Sequence, residues 1–279
     1  MRTNSIVRDN EPCKVTRDKG TVVQEPGIGT YLQSDDASTS IDAPTPRSAL
    51  AIGAHPDDIE FGCGGTLAKW AKRGCRISSV ILTDGSKGSW TPGDDPLLLA
   101  QRREHEAYNA AARLTGSKDL TFLRVPDGEL IRTNELVAQV AAAIRRTQCD
   151  VILAHDPWKR YRLHPDHREA GWIALDAIVA ARDPLYLPHQ EFAAHRPKAA
   201  LLWEADIVDH YETIKESLED KFSSLLCHTS QLGTTMGIAN PDDPQEISAF
   251  HERLIATHRS IGTRAQLELA EEFKILTAL

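Results

Sequence analysis

The chain has 279 residues, of which 26% are charged, 41% hydrophobic and 6% aromatic, and its net charge is −8. This is the balance of a globular protein with one large domain or two small ones, not of a collagen, a disordered tail or a disulfide-dense mini-protein. The acidic surplus argues against a general nucleic-acid binder, and no run approaches the roughly 18 to 20 apolar residues of a membrane span.

The first residues, MRTNSIVRDNEP, lack the apolar core of a secretory signal. Cys13, Cys63, Cys75, Cys149 and Cys227 are odd in number, widely spaced and free of any C-x-x-C. They read as unpaired thiols of a reducing compartment, the cytoplasm. Residues 1–46 have no sustained period and are expected to form a polar, weakly ordered extension. The alternative is that Ile28, Tyr31 and Leu32 dock on the domain or on a second copy of the chain, so a homo-oligomer stays open.

From Arg47 to residue 279 strands and helices alternate. Ser48–Gly53 is an apolar run too short for a helix and suited to a buried strand. A helix over Thr66–Arg73 stops at Gly74. Further strands are expected at Arg76–Thr83, Leu120–Val125 and Asp150–Ala154, with helices at Leu97–Leu114 and Asn134–Arg146 between them. Beyond these come helices near 165–182, 214–227 and 246–258, and strands near 199–203 and 273–276. The alternation predicts a single α/β domain: a doubly wound, mostly parallel sheet with helices on both faces.

Open parallel sheets bind ligands beyond the carboxyl ends of their strands. The first strand is followed by Ala54-His55-Pro56-Asp57-Asp58, the second by Asp84-Gly85, the third by Pro126-Asp127-Gly128, and the fourth by His155-Asp156-Pro157-Trp158 and then His164-Pro165-Asp166-His167. Every one of these turns carries an aspartate. The first turn has no G-x-G-x-x-G, and its two aspartates would repel a pyrophosphate, which excludes a dinucleotide site. Gly85-Ser86-Lys87-Gly88 is not a G-x-S-x-G elbow. Adjacent Asp57 and Asp58 cannot straddle a sugar as a glycosidase pair does, typically about 5 to 10 Å apart.

A metal site fits better. His55 and Asp58 are spaced i, i+3, as are His164 and His167, so each pair faces one way if it opens a helical turn. Imidazole nitrogen with carboxylate oxygen is a donor set that Zn²⁺ favours, usually three protein ligands plus an open position. Four candidate ligands with spare carboxylates therefore suggest three ligands and separate acid–base groups. Either motif alone reads equally well as a helix start with a solvated histidine; both together, at the ends of different strands, favour the metal.

The segment AHPDDIEFGCGGTLAKWAKRG, the strand ending in TDG, and the segments RREHEAYNAAARLTG, PDGEL and DPWKRYRLHPDHREAG together resemble the PIG-L / LmbE-like family of metal-dependent N-deacetylases. The resemblance runs from about Ser48 to at least Leu175, with a looser match at Leu226–Gln231 (LCHTSQ). It implies removal of an acetyl group from an N-acetylglucosamine-containing small molecule, with one zinc or another divalent ion per chain. By motif position it implies His55, Asp58 and His167 as metal ligands and Asp57 as general base. It further implies His164 as acid or oxyanion stabiliser, Asp166 as the residue orienting it, and Arg103 and Asp127 as sugar contacts. Arg103 could equally be an exposed helix ion pair. Trp90, Trp158 and Tyr161 could stack on a sugar or merely pack loops. His155 is a candidate to lie behind the ligands, whereas His189, His195, His210, His228, His251 and His258 match no ligand spacing and read as surface or satisfied residues. The competing readings are an amidase for a larger acyl group and a catalytically silent carbohydrate-binding protein. The set of acid–base residues argues against the last.

Overall fold

Short apolar runs without polar alternation need cover on both faces of a sheet, and such runs form the centre of this structure. The computed structural model describes residues 39–279. In chain order the elements are β1 (Ser40–Ile41), β2 (Ser48–Gly53), α1 (Asp58–Lys72), β3 (Arg76–Thr83), α2 (Pro96–Thr115), β4 (Leu120–Val125), α3 (Asn134–Thr147) and β5 (Val151–His155). They continue with α4 (Pro165–Arg182), β6 (Ala199–Trp203), β7 (His210–Thr213), α5 (Leu218–Leu225), a 3-10 turn at Thr229–Gln231, α6 (Pro244–Arg264) and β8 (Ala270–Leu276).

The strands form one sheet in the order β1-β7-β8-β6-β5-β2-β3-β4. Neighbours run parallel except at β8, which is antiparallel to both β6 and β7. Successive strands step outward from β2 through β3 to β4, and the chain then returns to lay β5 on the other side of β2. This reversal opens a crevice at the carboxyl ends of β2 and β5, where open α/β sheets bind ligands. One apolar cluster, with Leu50, Ile152 and Ile173, lies under α3 and α4. A second, with Ala51, Leu67 and Trp70, lies under α1 and α2. A third, with Ile214, Leu225 and Phe250, is built by α5, α6 and the segment between them.

The expected doubly wound α/β sheet is thus present, with three local differences. Helix α1 begins at Asp58, not at Thr66, and carries a kink at Cys63. Its first two turns contain Gly62, Gly64 and Gly65, poor helix formers by propensity, and packing explains them. A Cβ on Gly62 would stand 2.6 Å from the Trp203 ring, and one on Gly65 would stand 2.8 Å from Ile214. The glycines let the helix approach β6 and α5 as no other residue could. Strands β1 and β7 escape a hydrophobic reading because they are short and carry buried polar groups: His210 Nε2 pairs with Glu212 Oε1 at 2.9 Å, and Ser40 Oγ meets His210 Nδ1 at 2.8 Å. Residues 40–42, within the expected extension, accordingly pack on the domain: β1 pairs with β7 and Asp42 bonds the buried Lys69 at 2.7 Å. Ile28, Tyr31 and Leu32 lie outside the described residues.

His258, on α6, shows how burial makes this packing depend on pH. Its Nδ1 donates to the Ala270 carbonyl at 2.9 Å. Burial, aided by the Lys221 charge, holds its pKa down at about 4 against an ordinary 6.5. Between those values the unfolded chain binds a proton that the folded chain refuses. Stability is therefore lost as pH falls from about 6.5 to 4, by roughly 3 kcal/mol at most. His258→Asn keeps a donor but cannot titrate. The stability advantage of wild type over this variant should shrink from pH 7 to pH 4 in urea denaturation; a pH-independent difference would refute the assignment.

Candidate active site

The crevice holds a cavity of about 490 Å³, lined from β2 and α1 by His55, Asp57 and Asp58 and from the β5–α4 segment by His155, His164 and His167. Backbone geometry presents the first group. Asp57 caps α1 with φ 107° and ψ −24°, a left-handed conformation costly for any residue but glycine. The turn is held from outside: Arg103 donates to the Pro56 carbonyl at 2.6 Å and to the Gly85 carbonyl at 2.9 Å, and its guanidinium lies 3.5 Å from Asp57 Oδ2. Arg103 is only 3% exposed, which excludes the exposed-ion-pair alternative.

His55, Asp58 and His167 converge. His55 Nδ1 and His167 Nε2 are 3.2 Å apart; His55 Nδ1 lies 3.3 Å from Asp58 Oδ2 and His167 Nε2 3.3 Å from Asp58 Oδ1. Donors bound about 2.0 to 2.1 Å from a tetrahedral zinc stand about 3.3 Å from one another, so the three groups fit a divalent cation. The outer nitrogen of His55 agrees with this. His55 Nε2 lies 3.1 Å from Asp166 Oδ2 and 3.2 Å from Asp127 Oδ1, an arrangement that puts hydrogen on Nε2 and a lone pair on Nδ1. His167 Nδ1 accepts from Arg162 Nε at 2.9 Å, with Glu204 Oε2 3.6 Å away. Ligation through Nε2 requires a hydrogen on Nδ1, so a bound cation would exchange the Arg162 contact for one to Glu204, which Arg162 also pairs at 3.1 Å. His155, buried behind Asp58, accepts from Trp203 Nε1 at 3.0 Å and meets Asp58 Oδ2 through Nε2 at 3.2 Å. The indole N–H thereby fixes the tautomer that donates to Asp58.

The remaining expected residues are close by. His164 is the N-cap of α4, exposed, with its ring stacked 5.1 Å from that of His167 and edge-on 4.6 Å from that of His55. His55, His164 and His167 bring donors within 4.8 Å of one another, as do His55, Asp127, His164 and Asp166, and Asp58, His155 and His167, so the cluster offers an ion several overlapping donor sets. Asp166, expected to orient His164, instead receives Gly128 N at 2.7 Å and Leu130 N at 3.2 Å and faces His55. Asp127 accepts Lys87 N at 3.0 Å, so both of its oxygens are engaged by the protein. Trp90, Trp158 and Tyr161 are 79%, 52% and 93% exposed and do not line the cavity.

The two adjacent aspartates titrate apart. Burial, moderated by Arg103 and reinforced by the Asp58 charge, raises Asp57 to about 6. Asp58 is buried too, but His167 and His155 hold it well below the usual range. Burial, with the His55 and His167 charges, lowers His164.

Some of the lining was not foreseen. Glu204 follows β6, so reading one further strand end would have found it. Gln231 lies in the LCHTSQ segment, which α2 clamps: Glu106 accepts from Thr229 Oγ1 at 2.6 Å, Ser230 N at 2.8 Å and Ser230 Oγ at 2.6 Å. His228, expected at the surface or satisfied, is fully buried, with neither ring nitrogen hydrogen-bonded and Glu60 Oε2 at 3.4 Å.

A buried two-histidine, one-carboxylate cluster beside a high-pKa aspartate, at the switch point of a doubly wound sheet, defines the class: a metal-assisted hydrolase site. Residues 50–178 match the PIG-L model, described as GlcNAc-PI de-N-acetylase. The diacetylchitobiose deacetylase of Thermococcus kodakarensis is 30% identical over 215 residues, 76% of this chain and 77% of that protein. A 1D-myo-inositol 2-acetamido-2-deoxy-alpha-D-glucopyranoside deacetylase of Kineococcus radiotolerans is 29% identical over 49% of this chain and 46% of its own length. The N,N'-diacetylchitobiose deacetylase structure from Pyrococcus horikoshii superposes with a TM-score of 0.74 at 25% identity, covering 84% of this chain and 85% of that one. The chain belongs to the PIG-L family of metal-dependent de-N-acetylases.

The ligand set is open to elemental analysis. His55→Ala, Asp58→Ala and His167→Ala should each lower bound divalent metal well below the wild-type content, whereas His164→Ala should retain it. Full occupancy in the first three would remove the site.

Proposed function

We propose that this protein is a zinc-dependent hydrolase that removes the N-acetyl group from an N-acetylglucosamine-containing small molecule, releasing acetate and a free amine. The observation that carries this reading is the convergence of His55, Asp58 and His167 at 3.2 and 3.3 Å with the unligated Asp57 next to them. The substrate class is supported by the two relatives named above, both deacetylases of N-acetylglucosamine derivatives. Among common divalent ions, the nitrogen and oxygen donors and their spacing favour zinc. The four described cysteines are free, which supports a reducing compartment, and no helix among the described residues is long and apolar enough to cross a membrane. No proposed ligand or acid–base residue precedes Thr39, so the residues before it are proposed to be dispensable for the reaction.

A bound zinc would polarise the acetyl carbonyl and acidify the attacking water. Asp57 takes the proton of that water as its oxygen joins the carbonyl carbon. A carboxylate near pH 6 is basic enough to accept this proton and acidic enough to return it to the leaving nitrogen when the C–N bond breaks. His164, whose proton affinity is lowered by partial desolvation and its histidine neighbours, donates an N–H to the developing oxyanion. Arg103 holds the Pro56–Asp57 turn, so the base keeps its strained aim.

Acetate release from a panel of N-acetylglucosaminides, with zinc and with chelator, tests the reading as a whole; no release from any member would overturn it. Asp57→Asn should retain metal and substrate affinity and lose kcat by roughly 10²-fold or more. His164→Ala should lose kcat by about 10²-fold, with KM little changed. Asp58→Asn should instead show weakened metal affinity and partial rescue by excess zinc. If Asp57→Asn strips the metal while Asp58→Asn keeps it, the two roles are exchanged.

A further inference from the structure

Every other buried histidine among the described residues has a hydrogen-bonded ring nitrogen: His55, His155, His167, His210 and His258. His228, fully buried, has none. A buried polar group in that state is destabilising unless another interaction holds it. The contact it does make is an ion pair, whose attraction depends on distance and not on a hydrogen-bond angle. Nε2 lies 3.4 Å from Oε2 of Glu60, itself buried and without another ion-pair partner among the described residues.

Both members of this pair are tied to the general base. Glu60 follows Asp57 by three residues in the first turn of α1, so the two sit on one side of the helix start. His228 opens the turn Thr229–Gln231; its N–H donates to the Leu225 carbonyl at 3.0 Å and its carbonyl accepts from Gln231 N at 2.9 Å. Helix α2 grips both turns, Glu106 through Thr229 and Ser230 and Arg103 through the Pro56 carbonyl. The charges that face the imidazole are Glu60 and Asp57 from α1 and Arg103 from α2. Burial alone would lower its pKa; the Glu60 carboxylate, joined by the Asp57 charge, outweighs burial and the Arg103 cation and holds it above the ordinary 6.5. A buried carboxylate such as Asp57 is costly without compensating charge. Its other cationic neighbour, Arg103, is shared with two backbone carbonyls.

We infer that His228 is a positioning residue for the general base: a buried cation paired with Glu60, it supplies with Arg103 the positive charge that holds the Asp57 carboxylate in its strained turn. The inference rests on the hydrolase reading of the site. His228 does not line the catalytic cavity, so it acts through Asp57 and not on the substrate.

Nitrogen-15 NMR of the zinc-loaded full chain reads the charge. The His228 ring, assigned through its own backbone, should be doubly protonated at pH 7 in the wild type and neutral in Glu60→Gln. A neutral ring in the wild type overturns the inference. Kinetics read the action on the base. His228→Gln should lose kcat by roughly 10-fold, the scale on which one buried charge acts, with KM and zinc content within about 2-fold of wild type. In an Asp57→Asn background the same substitution should change the residual rate by less than about 2-fold, because the group it serves is gone. Glu60→Gln should likewise lose kcat only where the Asp57 carboxylate is present, and it carries the test if His228→Gln does not fold. Equal losses with and without that carboxylate, or no loss in either background, overturn the positioning role and leave the hydrolase reading standing. Absence of turnover by the wild type on every N-acetylglucosaminide overturns the hydrolase reading, and the role of His228 with it.

Discussion

Two imidazole nitrogens and a carboxylate, held within 3.3 Å of one another at the buried end of a sheet, are the constraint on which the surrounding structure turns. Such a cluster is costly unless a cation shares it or a proton does. The neighbours of His55 raise its proton affinity well above normal despite burial, through Asp127, Asp166 and Asp58. The same carboxylates that favour a proton there would favour a metal. Asp127, Asp166, Glu204 and His155 thus answer one electrostatic demand from the ends of three strands, β4, β5 and β6.

The second demand is geometric. Asp57 must point away from Asp58 although the two are adjacent, and a left-handed residue at the helix start achieves this at a cost of about 1 to 3 kcal/mol. Helix α2 meets that cost at a distance. Arg103 and Glu106, one turn apart, bind the Pro56 turn and the Thr229–Ser230 segment respectively. One helix face therefore sets both the base and the far wall of the cavity, and this explains an R-x-x-E pattern whose members point into the protein.

Much of this was legible in the chain itself. Strands β2, β3 and β4 are legible with their observed bounds: β2 is a continuous buried run, and β3 and β4 are short segments rich in β-branched and large apolar residues between polar turns. His55, Asp58, His164 and His167 were legible through their spacing and their places after strands. The start of α1 was hidden because its glycines answer to Trp203 and Ile214, residues far away in sequence. The partner of Asp166 could not be read, because the choice between His164 and His55 depends on side-chain direction. Glu204, Arg162 and Gln231 reach the cavity from separate segments, and no local period links them.

The order of the sheet bears on how the molecule assembles. β1 and β7 touch the remaining strands only through β8, which is antiparallel to both of its neighbours. Within the body, β3 and β4 follow β2 across single helices, but β5 returns to β2 over the whole span from Ala49 to Val151. At the edge, β8 reaches back from Leu276 to Ala200 and β1 joins β7 from Ser40 to His210, so both halves of the sheet carry a long loop closure. The crevice at the ends of β2 and β5 is itself closed by one of these long-range pairings. His55 and His167 meet only once β5 has paired with β2, so a change that weakens that one pairing loosens the cluster without touching any of its residues.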